Sequence, residues 1–309
     1  MAVAIVAWQG FDVLADALAR ARFRLFVLVP YFAPSLVLAA LAWRTLMPPA
    51  ARPGMGPILV GNWIGFSVNW LLPVAHVGGD VARAVWLARR RGSGAIMGAS
   101  ALVDKTILAF VQALIGLVGV GLLLSVAEGA SLAPAAAGFS VVLLGLLYVF
   151  YRLQTGGMFA RLAAGGGWLV GGLPASLTGG AAALDEAVRE IYAARRRVVA
   201  AVAWRFCSRI IITGEVWLIM FFMGHPITVA DALLLETLTQ TVRAAAFVMP
   251  GAFGVQEAGF IVIGAFVGVP ADLALAVSLA KRVRELAIGL PALLYWQVSE
   301  GRLGPRRRR

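Results

Sequence analysis

Ionisable side chains sit inside stretches that are otherwise apolar enough to cross a bilayer. Lys281, Arg282, Arg284 and Glu285 fall within the apolar run 271–299, and Arg205, Arg209 and Glu215 fall within 198–224. Glu236, Gln240 and Arg243 form a polar stripe at helical spacings of four and three, leading toward Pro250. Lys281 and Glu285, four residues apart, are placed to pair along one helix face. An ionised group within a membrane helix is costly and turns toward a partner or a water-filled cavity. Each of these residues, taken singly, suits a strut that neutralises a neighbour and pins two helices together. As a set, the Arg and Lys residues outnumber the acids, which predicts a cationic cavity. Bordered by lipid, such a cavity suits a polar or anionic lipid headgroup whose tails stay in the bilayer.

A second group of candidates is marked by self-similarity. Pro73-Val-Ala-His-Val-Gly-Gly-Asp80 lines up with Pro250-Gly-Ala-Phe-Gly-Val-Gln-Glu257 at an offset of 177 residues. In each copy an alanine follows the proline by two residues and an acid follows it by seven. Twenty-four residues beyond each acid comes a charged pair, Asp104-Lys105 in the first copy and Lys281-Arg282 in the second. These pairs hold both of the chain's lysines. His76, Asp80, Asp104, Lys105, Gln256 and Glu257 therefore join the candidate site. Small residues precede each pair, at 98–101 and 274–278, and suit close helix packing. Repeat copies near 56–126 and 229–299 would enter the membrane from opposite sides. Broken helices in inverted repeats that meet near the midplane are a layout of secondary transporters.

The elements that must position these residues follow from composition. Of 309 residues, 61% are hydrophobic and only 14% charged, against roughly 25% charged in soluble domains. That excludes a soluble globule, a disordered chain and a disulfide scaffold. About 20 apolar residues cross the hydrocarbon core, and the runs 25–43, 106–126, 129–151, 198–224 and 271–299 meet that length. Two more runs, 56–72 and 229–248, end in Pro/Gly-rich breaks around Pro73 and Pro250, which predicts two broken or re-entrant helix pairs. Residues 2–8 are an apolar stub of a first helix without the marks of a signal peptide. The expected fold is an all-α polytopic membrane bundle forming one integral membrane domain over 1–309. Arginine clusters at 89–91, 195–197 and 306–309 place those points, and the C-terminus, on the cytoplasmic side of an inner membrane. The segment 153–197 is then a cytoplasmic connector with a helix over 184–195. The net charge of +12 reads as loops anchored on anionic lipid rather than a nucleic-acid surface.

Catalytic chemistry finds little support. One cysteine, Cys207, excludes an internal disulfide, and His76 and His225 are too far apart for a helical two-histidine metal motif. Gly79-Asp-Val-Ala-Arg83 followed by Gly92 imitates part of a CDP-alcohol phosphotransferase signature, but the carboxylates that would hold its metals are out of register. A lipid phosphatase would need more than His76 beside Asp80, and no phosphate-binding P-loop is present. No cofactor is expected.

Asn69-Trp-Leu-Leu-Pro-Val-Ala-His-Val-Gly-Gly-Asp80, Met249-Pro-Gly-Ala-Phe-Gly-Val-Gln-Glu257 and Ser278-Leu-Ala-Lys-Arg-Val-Arg-Glu-Leu286 resemble the flippase-like membrane domain of lysylphosphatidylglycerol synthases. Within that family they are most similar to the hopanoid-biosynthesis-associated branch, HpnL. The resemblance implies movement of a phospholipid or hopanoid between leaflets. It does not bring the lysyl-transfer activity, whose soluble domain the sequence lacks. Three readings stand: a lipid flippase or secondary transporter, a membrane scaffold that partners lipid-biosynthesis enzymes, and a membrane-embedded lipid transferase.

Overall fold

The computed structural model describes residues 26–72, 77–91, 94–124, 133–164, 180–245 and 254–301. His76, the breaks at Pro73 and Pro250, the N-terminal stub and the basic tail lie outside the described residues. The described elements are all helical: α1 (Leu28–Leu46), α2 (Met55–Leu71), α3 (Gly78–Arg91), α4 (Gly94–Leu124), α5 (Ala133–Thr155), α6 (Met158–Ala164), α7 (Ala181–Ala193), α8 (Arg195–Phe222), α9 (Val229–Ala245), α10 (Val255–Phe266) and α11 (Ala271–Gly301). A short 3-10 turn, Pro49–Ala51, joins α1 to α2.

The distribution of polarity is the reverse of a soluble protein. Val141, Val142, Leu146, Val149 and Leu294 stand on the outside, while Arg83, Asp104, Glu215, Lys281 and Arg284 are buried. Water would penalise such an outer face, whereas hydrocarbon accepts it and drives the ionised groups inward toward one another. α1 and α4 are each long and apolar enough to cross a membrane by length and composition.

Helix packing follows a pattern. α1 lies along α8, α2 packs on α3, and α3 on α4; in the later part α9 packs on α10, and α10 on α11. Across the two parts, α4 packs on α9 and α11 packs on α2. Gly78 and Val255, which open α3 and α10, are 177 residues apart, as are both ends of α4 and α11. Three apolar clusters hold this together. One joins α8 to α11 with the end of α4, one joins α1 to α3, and one joins α1, α4, α7 and α8. α3 crosses α2 so closely that a Cβ on Gly79 would stand 2.0 Å from the Gly65 carbonyl oxygen, so only glycine fits there.

Two expected boundaries differ. The run expected at 106–126 is the later part of α4, which starts at Gly94 and carries Asp104 and Lys105 within it. A charge does not end a helix when tertiary partners take it up, and both residues have such partners. The expected connector is also shorter, because α5 runs on to Thr155 and the helix expected over 184–195 is α7, ending at Ala193.

Candidate functional site

The charges gather in two clusters, one among α3, α4 and α8 and one among α8 to α11. In the first cluster Asp104 of α4 is fully buried and accepts from two arginines. Arg83 Nη2 of α3 lies 2.7 Å from Asp104 Oδ2, and Arg205 Nε of α8 donates to Asp104 Oδ1 at 2.9 Å. Arg205 Nη2 also reaches Oδ2. The same Arg83 Nη2 is 2.8 Å from Asp80 Oδ1, and Lys105 Nζ is 3.0 Å from Asp80 Oδ2. Arg83 further donates to Asn62 Oδ1 at 3.1 Å, and its guanidinium lies 4.5 Å from the Trp43 ring centre. Helical geometry explains the local part, since Asp80 and Arg83 are three apart on one face of α3. A cavity of about 30 Å³ lies beside Asn62, Asn69, Asp80 and Lys105. A water needs roughly 10–15 Å³, so this notch has the size for solvent and not for a headgroup.

The second cluster is built on α9, α10 and α11. Lys281 Nζ meets Glu236 Oε2 at 2.5 Å, and Gln240 Nε2 donates to Glu236 Oε1 at 3.1 Å. Glu257 is tied mainly by neutral donors. The N–H of Gly254, a left-handed residue, donates to its Oε2 at 2.8 Å, and Ser278 donates to Oε1 at 3.3 Å. Its nearest cation is Arg282, at 3.4 Å. Arg284 is bidentate to Glu215 of α8, at 2.8 and 3.3 Å, and lies 4.0 Å from the Phe32 ring centre. Asp80–Lys105 and Glu257–Arg282 therefore form ion pairs at positions matched by the 177-residue offset.

Two arginines are held differently. Arg209 of α8 donates to the Gln112 carbonyl oxygen of α4, and among the described residues no carboxylate lies within ion-pair distance of it. Arg243 of α9 donates to Gln256 Oε1 at 2.6 Å, and its nearest acid is Glu285 at 3.9 Å. An amide carbonyl fixes a guanidinium without neutralising it. Arg209 also lies within electrostatic range of Arg243, Arg205 and Glu236. Gln112 Nε2 is buried and has no hydrogen-bond partner among the described residues. The result is a partly buried cationic surface with an unused amide donor beside it. Such a surface favours a bound anion.

Most of the sequence candidates meet in these clusters: Asp80, Asp104, Lys105 and Arg205 in the first, and Glu236, Gln240, Arg243, Gln256, Glu257, Lys281, Arg282, Arg284, Glu285 and Glu215 in the second. Arg209 joins α8 to α4. His76 lies outside the described residues. The expected Lys281–Glu285 pair does not form. Lys281 turns to Glu236 on α9, while Glu285 faces Arg282 at 3.7 Å and Arg243. A partner on a neighbouring helix offers a shorter contact than one on the same helix face.

Sequence reasoning missed Arg83, Asn62, Ser278 and Gln112. Arg83 had a signal, three residues after Asp80, and Gln112 is the lone amide in the run 106–126. Ser278 opens one of the motifs quoted for the family resemblance but showed no polar role there, and Asn62 had no signal beyond being polar in an apolar run. Among the described residues no three His, Cys, Asp or Glu side chains could hold a metal ion.

Residues 1–292 match the family model described as the lysylphosphatidylglycerol synthase TM region. No curated protein and no solved structure matches the chain.

Proposed function

The chain belongs to the lysylphosphatidylglycerol synthase TM family, a family of multi-pass membrane proteins tied to lipids, and on that premise we propose that it is a lipid flippase or secondary lipid transporter. The cargo is a polar or anionic lipid, either a phospholipid or, following the resemblance to the hopanoid-associated branch, a hopanoid. The observation that carries this reading is Arg209, held by a glutamine side-chain carbonyl with no carboxylate at ion-pair distance among the described residues, beside Arg243, whose nearest acid stands 3.9 Å away, inside a bundle whose exterior is apolar. At about 4 Å and an effective dielectric of 20, a unit anion gains roughly 4 kcal/mol from each such charge. A headgroup phosphate drawn there loses its water but meets guanidinium and amide donors, while its tails remain in lipid.

The exchange of contacts between the two parts supports the way such a site opens. If α2–α4 and α9–α11 are inverted repeats, rocking one against the other exposes the same cations first to one leaflet and then to the other. In this reading the breaks near Pro73 and Pro250 are re-entrant, the protein sits in the inner membrane with its C-terminus cytoplasmic, and no covalent chemistry occurs. The alternative, a scaffold for lipid-synthesis enzymes, is favoured by the ion-pair lattice around Asp104, whose charges meet one another and have no need of a cargo.

Reconstitution into vesicles with labelled phospholipid or hopanoid in one leaflet tests the choice. Transfer by the native chain and its loss in Arg209→Gln, at unchanged melting temperature, is the expected result. Equal transfer by both, or transfer by neither, overturns the reading, and the second of these favours the scaffold.

A further inference from the structure

A cavity of about 460 Å³ opens between α4, α5, α7 and α8, away from the ion-pair clusters. Its volume lies in the range of ligand clefts, roughly 300–1,000 Å³. Its three long walls change character in the same direction. On α8 the lining passes from Arg195 through Val198 to Val202, and on α5 from Tyr151 to Leu144. On α4 it passes from Thr106 to Phe110.

One end is therefore aromatic and cationic, and the other is wholly apolar. Seven residues of α8 separate Arg195 from Val202, about 10 Å at 1.5 Å per residue. A hydrogen-bond chain fixes the polar end: Tyr192 donates to Gln154 at 2.9 Å, and Gln154 donates to Thr106 at 2.9 Å. The rings of Tyr151 and Tyr192 meet edge to face at 4.8 Å. Burial pushes the Tyr192 phenol up to about 12, so it stays neutral and protonated near an approaching anion.

Charge at the polar end is one-sided. Arg195 and Arg196 are exposed and form no ion pair among the described residues, and Arg152 is exposed with its Nη1 3.4 Å from the Tyr148 hydroxyl. We propose that this groove binds an anionic glycerophospholipid, with an acyl chain along Phe110, Leu144, Leu147 and Val202 and the phosphate at Arg195. Apolar walls accept the chain of any lipid. The arginines choose the headgroup, since they attract a net negative charge and repel a terminal ammonium. The site is distinct from the Arg209–Arg243 surface and exists whether or not the protein transports lipid.

Native mass spectrometry of the full chain, released from micelles containing equal phosphatidic acid and phosphatidylcholine with identical chains, tests this. The native protein retains phosphatidic acid over phosphatidylcholine by about tenfold, the size of one charge-assisted contact. Arg195→Gln loses the preference but still retains lipid, whereas Val202→Trp, which fills the groove, loses the bound lipid. Leu147→Trp on the opposite wall gives the same result should Val202→Trp fail to fold. Undiminished phosphatidic acid on Arg195→Gln and on both tryptophan variants overturns the proposal. Loss of vesicle transfer in Arg209→Gln with lipid still retained in this groove leaves the two readings separately decided.

Discussion

The α2–α4 and α9–α11 segments place charge at matched positions and use it in opposite ways. At one matched pair the sign itself is exchanged: Asp104 stands in α4 where Lys281 stands in α11. Around Asp104 two arginines converge, and Arg83 also holds Asp80, so acid and base interlock with little room between them. Around Glu257 the shorter donors are a backbone amide and a serine, with Arg282 farther off at 3.4 Å, and the nearby Arg243 rests on an amide oxygen. Ionic contacts of the first kind hold helices in place, because removing one member strands the others in a low-dielectric interior. Cations of the second kind rest on amide oxygens, which hold a guanidinium in place without cancelling its charge. The contrast is one of degree, since α9–α11 also carries buried pairs of its own, Lys281–Glu236 and Arg284–Glu215.

The largest effect expected is at the interlocked end. Asp104→Ala strands Arg205, leaves Arg83 with Asp80 alone, and should lower stability in detergent by about 3–5 kcal/mol, read as a fall in melting temperature. A small change there would show that the lattice is wet and the contrast false. At the open end, Arg209→Gln should cut lipid transfer by about tenfold or more, the cost of a lost charge-assisted contact, with the melting temperature nearly unchanged. Arg209→Lys should recover part of the rate.

Asp80→Asn and Glu257→Gln sharpen the comparison at equivalent positions. Asp80 faces two cations at 2.8 and 3.0 Å and Glu257 one at 3.4 Å. The asparagine variant should therefore lose roughly 1–3 kcal/mol and the glutamine variant less, measured by thermal melting side by side. Equal losses would remove the asymmetry. Smallest of all, Glu300→Gln releases Arg89 and Arg90 at the outer ends of α3 and α11 and should cost about 1 kcal/mol or less. Urea or heat titration of the folded fraction checks it.

Much of this organisation was legible in the sequence, and the reasons are physical. Long apolar runs and helix breakers are local signals, so α1, α2, α8, α9 and α11 are found within a few residues of their expected bounds. The spacing of Pro, acid and charged pair pointed to the residues that meet in the two clusters, because a shared helix arrangement preserves separations along the chain. α3 and α10 were harder to read. The former is short and strongly charged and the latter only 12 residues long, so neither shows as a complete span. Partner choice was harder still. Lys281 reaches across to Glu236, 45 residues away in sequence, a contact no helical period encodes. Gln112 stood out as the lone amide of its run, yet nothing local told that its side-chain carbonyl would take up Arg209, 97 residues away.

The bond from Arg205 to Asp104 spans 101 residues of sequence. Synthesis at about 5–20 residues per second leaves Asp104 in the nascent chain for roughly 5–20 s before its second arginine exists. During that interval Arg83, already made, is the acid's available guanidinium. The α2–α4 segment must therefore wait, its Asp104 holding one of its two arginines, until α8 is delivered, and α4 must then find its place against α9, which emerges later still. A ribosome that stalled between residues 124 and 205 would leave in the membrane a fragment whose paired acids and bases balance but whose Asp104 lacks its second arginine and whose α4 lacks its neighbours, and such a fragment is ready prey for a membrane protease.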